Sequence, residues 1–197
     1  MVFRIVFAGG PGCGKSSSLI PARDALLAAG VYCEAVAEAA TDLMAGGLKK
    51  EEVGAYEFQR RIFEQELRSE DEAVKRVEAK GGGAVIFDRG VLDAFTYLDG
   101  DDACRLIKEF GFTREDLLGR YDLALFFHSP AKECGGDLTE GNEYRMEKTP
   151  AARRLFTARA EKAWGDHPRI RHIGWESDPE AKLRKVAELL LTELETV

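Results

Sequence analysis

The sequence has no C-x-x-C pair. Its four cysteines, Cys13, Cys33, Cys104 and Cys134, stand far apart. That spacing argues against a zinc knuckle or a disulfide framework and makes a reducing cytoplasm the expected compartment. No His/Cys/Asp/Glu cluster has the spacing of a metal site. No window approaches the ~20 apolar residues of a membrane span. The opening MVFRIVFAGG carries its Arg inside the apolar run rather than ahead of it, so it reads as a strand and not as a secretory leader. Basic residues are in deficit: 28 Lys+Arg against 35 Asp+Glu leave a formal charge of −7. Binding of polymeric nucleic acid needs the opposite balance, although a local basic pocket for a phosphorylated small molecule remains compatible with it. Repeats, low-complexity tracts and linkers are also lacking, so residues 1–197 are expected to form one domain.

What is present is an alternation of short apolar runs with helical patterns. Residues 2–8, 31–37, 84–87, 122–127 and 170–173 read as buried strands. Helical spacing follows each of them. The segments are 16–29, a short helix at 38–45, one long charged helix at 51–80, then 91–98, 102–110, 113–118, a helix from Thr149-Pro150 to about Trp164, and a last one opened by Asp178-Pro179-Glu180. Thr113 is the expected N-cap of its helix, with Glu115 and Asp116 in the first turn. Strands separated by helices imply parallel pairing through crossovers, hence an α/β fold. Residues 128–147 are polar and read as a loop.

The strongest motif is GGPGCGKS, which fits G-x-x-x-x-G-K-[ST] between an apolar strand and a helix. Glycines there let successive backbone N–H groups turn toward phosphates, and the following helix N-terminus adds partial positive charge. Gly9, Gly10, Pro11, Gly12, Cys13, Gly14, Lys15, Ser16 and Ser17 are therefore the candidate nucleotide-binding residues. Lys15 is expected to neutralise phosphate charge and the Ser16 hydroxyl to bind Mg²⁺. The fold implied is a three-layer P-loop NTPase with a five-stranded parallel sheet.

A second motif, AVIFDRG, sets Asp88 and Arg89 at a strand end facing the same crevice. Asp88 can hold Mg²⁺ through water or accept the proton of an attacking hydroxyl, and the residue types leave both roles open. Arg89 can clamp the acceptor or its phosphate. Asp-Arg differs from the Asp-Glu of AAA+ motors and helicases, and neither N-K-x-D nor D-x-x-G of G-domains fits. Cations gather in TEGNEYRMEKTPAARR, where Arg145, Lys148, Arg153 and Arg154 suit a lid over about 128–154 that closes on the γ-phosphate. Arg145 is the leading catalytic candidate there, with Arg153 a candidate for binding the acceptor. Glu38, at the second strand end, points toward the acceptor side. Trp175, after the fifth strand, is placed to stack on a nucleotide base. His167 and His172 flank that strand and are expected to pack or face solvent.

Taken together, GGPGCGKSS, EAATDLMAGG, FQRRIFEQEL, FDRGVLDAFTYL, EGNEYRMEKTPAA and AWGDHPRI resemble the kinase-like AAA-domain P-loop proteins. These are similar to ribosylnicotinamide kinase and thymidylate kinase, and to the nucleotide-binding half of the TRPL translocation defect protein. The resemblance implies a kinase core that binds ATP or GTP with Mg²⁺ and transfers phosphate to a nucleoside, a nucleotide or a similar small acceptor. It also implies roles for Lys15, Ser16, Asp88, Arg89, Arg145 and Glu38. Where ribosylnicotinamide-type kinases carry Arg shortly after the Glu38 position, this sequence has Ala39, Ala40 and Thr41. A nucleotide-dependent switch or slow NTPase, using the 51–80 helix to dock a protein partner, is the alternative.

Overall fold

A computed structural model describes residues 1–129 and 149–195. Five strands form one all-parallel sheet: β1 (Val2–Gly9), β2 (Cys33–Val36), β3 (Gly83–Asp88), β4 (Leu123–Phe127) and β5 (Ile170–Ile173). Their spatial order is β2-β3-β1-β4-β5. β1 lies at the centre and pairs with β3 on one side, through Phe7↔Asp88, and with β4 on the other, through Gly9↔Phe127. The chain fills the sheet to one side of β1 and then the other. That reversal of direction opens a crevice beyond the carboxyl ends of the strands, where open α/β sheets take their ligands.

Strand alternation builds two cores from one sheet, because successive side chains point to opposite faces. Phe3, Ile5 and Phe7 of β1 join Ile86, Leu125 and Phe127 against α1 (Lys15–Ala28) and α9 (Pro179–Leu194). Leu19, Leu26, Val186 and Leu190 are the helical partners on that face. Val6 and Ala8 turn the other way, with Val85, Phe87, Ala124 and Phe126. They meet the second layer of helices, α4 (Ala55–Ala79), α5 (Ala94–Tyr97), α6 (Gly100–Glu109), α7 (Arg114–Leu118) and α8 (Pro150–Trp164), while α2 (Ala39–Ala45) and α3 (Lys50–Val53) pack on α4. Phe63, Leu92, Leu106 and Trp164 anchor that layer. Both faces of the sheet are covered, which is why its strands read as continuous apolar runs rather than alternating ones.

Helix ends follow their side-chain chemistry. Thr113 closes a capping box with Asp116, accepting from the Asp116 N–H while the Asp116 carboxylate accepts from the Thr113 N–H. Thr149 and Asp178 cap α8 and α9, each just ahead of a proline at the first helical position. Two expected helices are divided. The long helix expected over 51–80 is interrupted at Gly54 (φ 83°), which ends α3 and starts α4 in a conformation that interior helix residues do not adopt. The segment 91–98 is a 3₁₀ turn over Val91–Asp93 followed by α5. Cys13, Cys33 and Cys104 are free thiols. Among the described residues no helix is long and apolar enough to cross a membrane. Cys134 and most of the expected lid, including Arg145 and Lys148, lie outside the described residues.

Candidate functional site

The phosphate loop begins where β1 runs out. Gly9 (φ 129°) lies so close to β4 that a Cβ there would strike the Phe127 carbonyl. Gly14 (φ 87°) is the N-cap of α1, and a Cβ on it would approach Lys182 Nζ to 2.6 Å. Gly10 carries α8 at its back, against the Thr157 hydroxyl. The loop is thus fixed by backbone curvature and by two flanking helices. Lys15 is 5% exposed, and its ammonium donates to the Gly9 and Gly10 carbonyls, each at 2.9 Å, with Cys13 Sγ at 3.4 Å. The cation is therefore held over the loop mouth. Pro11 and Cys13 are buried, while Ser16 and Ser17 stand exposed at the start of α1.

Asp88 comes to this mouth from the end of β3, pinned by the Phe7↔Asp88 register. The Ser16 hydroxyl stands beside its carboxylate and favours the charged form. Asp88 is buried, and Oδ1 has no hydrogen-bond partner. Burial raises this carboxyl above its ordinary range against the opposing pull of Lys15 and Ser16, and Glu38 adds to the rise. A hydroxyl beside a carboxylate with an orphaned oxygen is a hard-oxygen donor set. It suits Mg²⁺, which takes one or two protein ligands and completes its shell with water and phosphate. Among the described residues no group of three or more His, Cys, Asp or Glu forms a closed metal cage.

Arg89 adopts φ 75°, and it is the one non-glycine described with positive φ. Such strain persists only where surrounding contacts enforce it, and here they do. Its N–H donates to the Phe7 carbonyl at 3.1 Å. Its Nε lies 2.6 Å from Glu38 Oε1, a close ion pair although the N–H points off the hydrogen-bond line. Nη1 donates to Asp93 Oδ2 at 3.1 Å, and the guanidinium covers the Tyr97 ring at 5.5 Å. Asp93 accepts in turn from Trp164 Nε1 at 2.7 Å. Burial works against the Arg89 charge, but Glu38, Tyr97, Asp93 and Asp88 outweigh it and hold the group cationic. Behind this clamp the Tyr121 hydroxyl accepts from the Val91 N–H and donates to Glu70, which Arg120 also pairs.

Glu38 is the N-cap residue of α2, its side chain 20% exposed beside Arg89. Arg153 is half-buried on α8, one turn before the Thr157 that covers Gly10, and Arg154 is exposed. Trp175 follows β5 and is 44% exposed, on a loop tied to α9 by the Lys185–Glu176 ion pair at 3.2 Å. His167 is buried against the Tyr121 carbonyl, and His172 stacks on His128.

Two residues escape sequence reasoning. Glu66, on α4, is 7% exposed and has no hydrogen bond or ion pair to a described residue. Burial pushes its carboxyl well above the ordinary range, with Asp93, Glu70 and Glu38 adding to the push and Arg89 opposing it. The available signal was a carboxylate in phase with the apolar stripe of Phe58, Ile62 and Phe63. Lys182, on α9, is buried, donates to the Cys13 carbonyl and lies 5.4 Å from the Phe127 ring centroid. Burial lowers its pKa, and Lys15 contributes in the same direction. It adds a second lysine to the outer side of the phosphate loop.

No curated protein shows significant similarity to the chain. The model of one family, described as AAA domain, matches residues 4–181, a span that includes the phosphate loop, Asp88 with Arg89, and all five strands. The chain belongs to this AAA-domain family of P-loop nucleotide-binding proteins.

Proposed function

We propose that the chain is a small-molecule phosphotransferase of the nucleoside- or nucleotide-kinase type, using ATP or GTP. The carrying observation is the convergence of two clusters on one crevice. Lys15, Ser16 and the unpartnered Asp88 oxygen lie at the phosphate loop, and Arg89, Glu38 and Glu66 lie beside them at the ends of β3, β2 and along α4. Ser16 and Asp88 would hold Mg²⁺, whose contribution is to neutralise the phosphate oxygens.

In the transfer, the acceptor hydroxyl oxygen forms a bond to the γ-phosphorus while the bridging P–O bond to the β-phosphate breaks. The hydroxyl proton passes to a crevice carboxylate, and the nucleoside diphosphate leaves. Lys15 releases its own loop carbonyls to pair the β- and γ-phosphates. Arg89 and Glu38 orient the acceptor, Trp175 stacks on the base, and Arg153 with Arg145 adds charge stabilisation from the lid expected at about 128–154. Residues 1–197 act as one domain in this reading, without nucleic acid or membrane as partner.

The switch reading is weaker for a specific reason. The outer face of α4, which would have to dock a partner, is laced by its own ion pairs, Arg60 and Arg61 with Glu57 and Arg68 with Glu64. The test is nucleoside diphosphate release from ATP or GTP, measured with and without a panel of nucleosides, nucleotides and sugars. Acceptor-dependent release supports phosphotransfer. Hydrolysis indifferent to every acceptor contradicts it.

A further inference from the structure

Resting on the phosphotransfer reading, we infer that the acceptor carries no phosphate: it is a hydroxyl-bearing molecule held among Glu38, Glu66, Asp93 and Arg89. The charge arrangement around Arg89 leads there. One guanidinium faces four carboxyl groups, Glu38, Asp93, Asp88 and Glu66. Its Nε and Nη1 edges are both engaged by carboxylates, and the Tyr97 ring stacks against it. The side chain is only 11% exposed. A phosphorylated acceptor that took either of these edges would have to displace Glu38 or Asp93 from a buried ion pair and then lie against the freed carboxylate. Like charges brought together in a desolvated crevice are strongly repelled.

Among the described residues the neighbouring cations are committed elsewhere. Arg120 pairs Glu70 and Asp71, and the α4 arginines Arg60 and Arg61 pair Glu57 on its outer face. Lys15 belongs to the phosphate loop. Arg153, on α8, stands one turn before Thr157, the residue against Gly10 of the phosphate loop.

One buried group without a described partner points to a ligand rather than to a mere acidic cluster. Glu66 is more than nine-tenths buried, has no partner among the described residues and has Arg89, Asp93 and Glu38 as its electrostatic neighbours. Buried polar groups ordinarily find partners. A hydroxyl suits Glu66, because it donates to a carboxylate and accepts from a carboxylic acid. Hydroxyls on one molecule satisfy Glu66 and Glu38 together, which a phosphate dianion, an acceptor-only group, does not.

The experiment compares matched pairs that differ only in phosphate: adenosine with AMP, cytidine with CMP, thymidine with TMP, and D-ribose with ribose 5-phosphate. Each is assayed for acceptor-dependent ADP release from Mg·ATP and GDP release from Mg·GTP. The inference predicts that the pair giving the fastest turnover favours its unphosphorylated member by at least about tenfold in kcat/KM. Glu38→Gln, which frees one edge of Arg89, narrows that ratio by about threefold or more, whereas Glu66→Gln, a neutral donor of the same shape, preserves it. A preference for the phosphorylated member overturns this inference and leaves phosphotransfer standing. Bound nucleotide without acceptor-dependent release anywhere in the panel overturns the phosphotransfer reading and this inference with it.

Discussion

Glu66→Gln should stabilise the protein at neutral pH, and the gain should vanish on acidification. In the folded chain the Glu66 carboxyl is buried, without a partner among the described residues, and displaced well above its ordinary value of 4.5, first by burial and then by Asp93 and Glu70. The folded state therefore holds a proton that the unfolded state has already released. Stability falls as pH rises from the unfolded value toward the folded one, because folding must then take up a proton. Each pH unit in that interval costs at most about 1.4 kcal/mol, so the penalty at pH 7.5 has a ceiling of about 4 kcal/mol. Solvent contact at the crevice and relaxation around the carboxyl bring the expected net gain to about 1–3 kcal/mol. Glutamine has the same shape, stays neutral and keeps a donor and an acceptor, so packing is preserved. Thermal and urea melts of both proteins at half-unit steps from pH 5 to 8 measure the difference directly. The reasoning predicts near-equality at pH 5 and a growing advantage for Glu66→Gln above it, about 2–4 °C in Tm per kcal/mol for a chain of this size. A variant that is equal to or weaker than wild type at pH 7.5, or a gain flat across pH, refutes the argument.

Other expectations concern the clamp, the nucleotide and the phosphate loop. Arg89→Ala leaves Glu38 and Asp93 as uncompensated carboxylates and should cost about 3–5 kcal/mol in urea melts; a loss below 1 kcal/mol contradicts the burial of that network. Of the two tryptophans, Trp164 is enclosed and Trp175 is 44% exposed. Nucleotide addition should therefore change intrinsic fluorescence in wild type and not in Trp175→Phe; an undiminished response in the variant removes Trp175 from the base site. Lys15→Ala should lower acceptor-dependent turnover by at least about 10²-fold while melting within a few degrees of wild type; turnover at the wild-type rate contradicts the assigned role.

The features legible in the sequence were those whose physics is local. GGPGCGKS declares its function through residue spacing, since phosphate cradling is done by backbone within eight positions. Strand cores were legible because a sheet covered on both faces demands uninterrupted apolar runs, as in ALFF of β4. Caps at Thr113, Thr149 and Asp178 followed from the hydroxyl or carboxylate preceding each helix. Gly54 was harder, because a lone glycine within a strong helical pattern is tolerated as often as it breaks the helix. Glu66 was signalled only by its phase with Phe58, Ile62 and Phe63, and Lys182 not at all. Each sits in a helix where charged residues abound, and only tertiary packing decides which of them is turned inward. Arg89 was legible as a strand-end cation but not as a neutralised one, because Asp93 and Glu38 reach it from different elements.

Transfer itself is the central claim, and single-turnover phosphate transfer tests it most directly. With γ-labelled ATP or GTP, Mg²⁺ and the acceptor panel, label should appear in a phosphorylated acceptor for wild type. Asp88→Asn, which keeps the fold and the Ser16 contact but loses the carboxylate, should transfer at least about 10²-fold more slowly. Label recovered only as inorganic phosphate, whatever acceptor is present, or transfer by Asp88→Asn at the wild-type rate, contradicts the account.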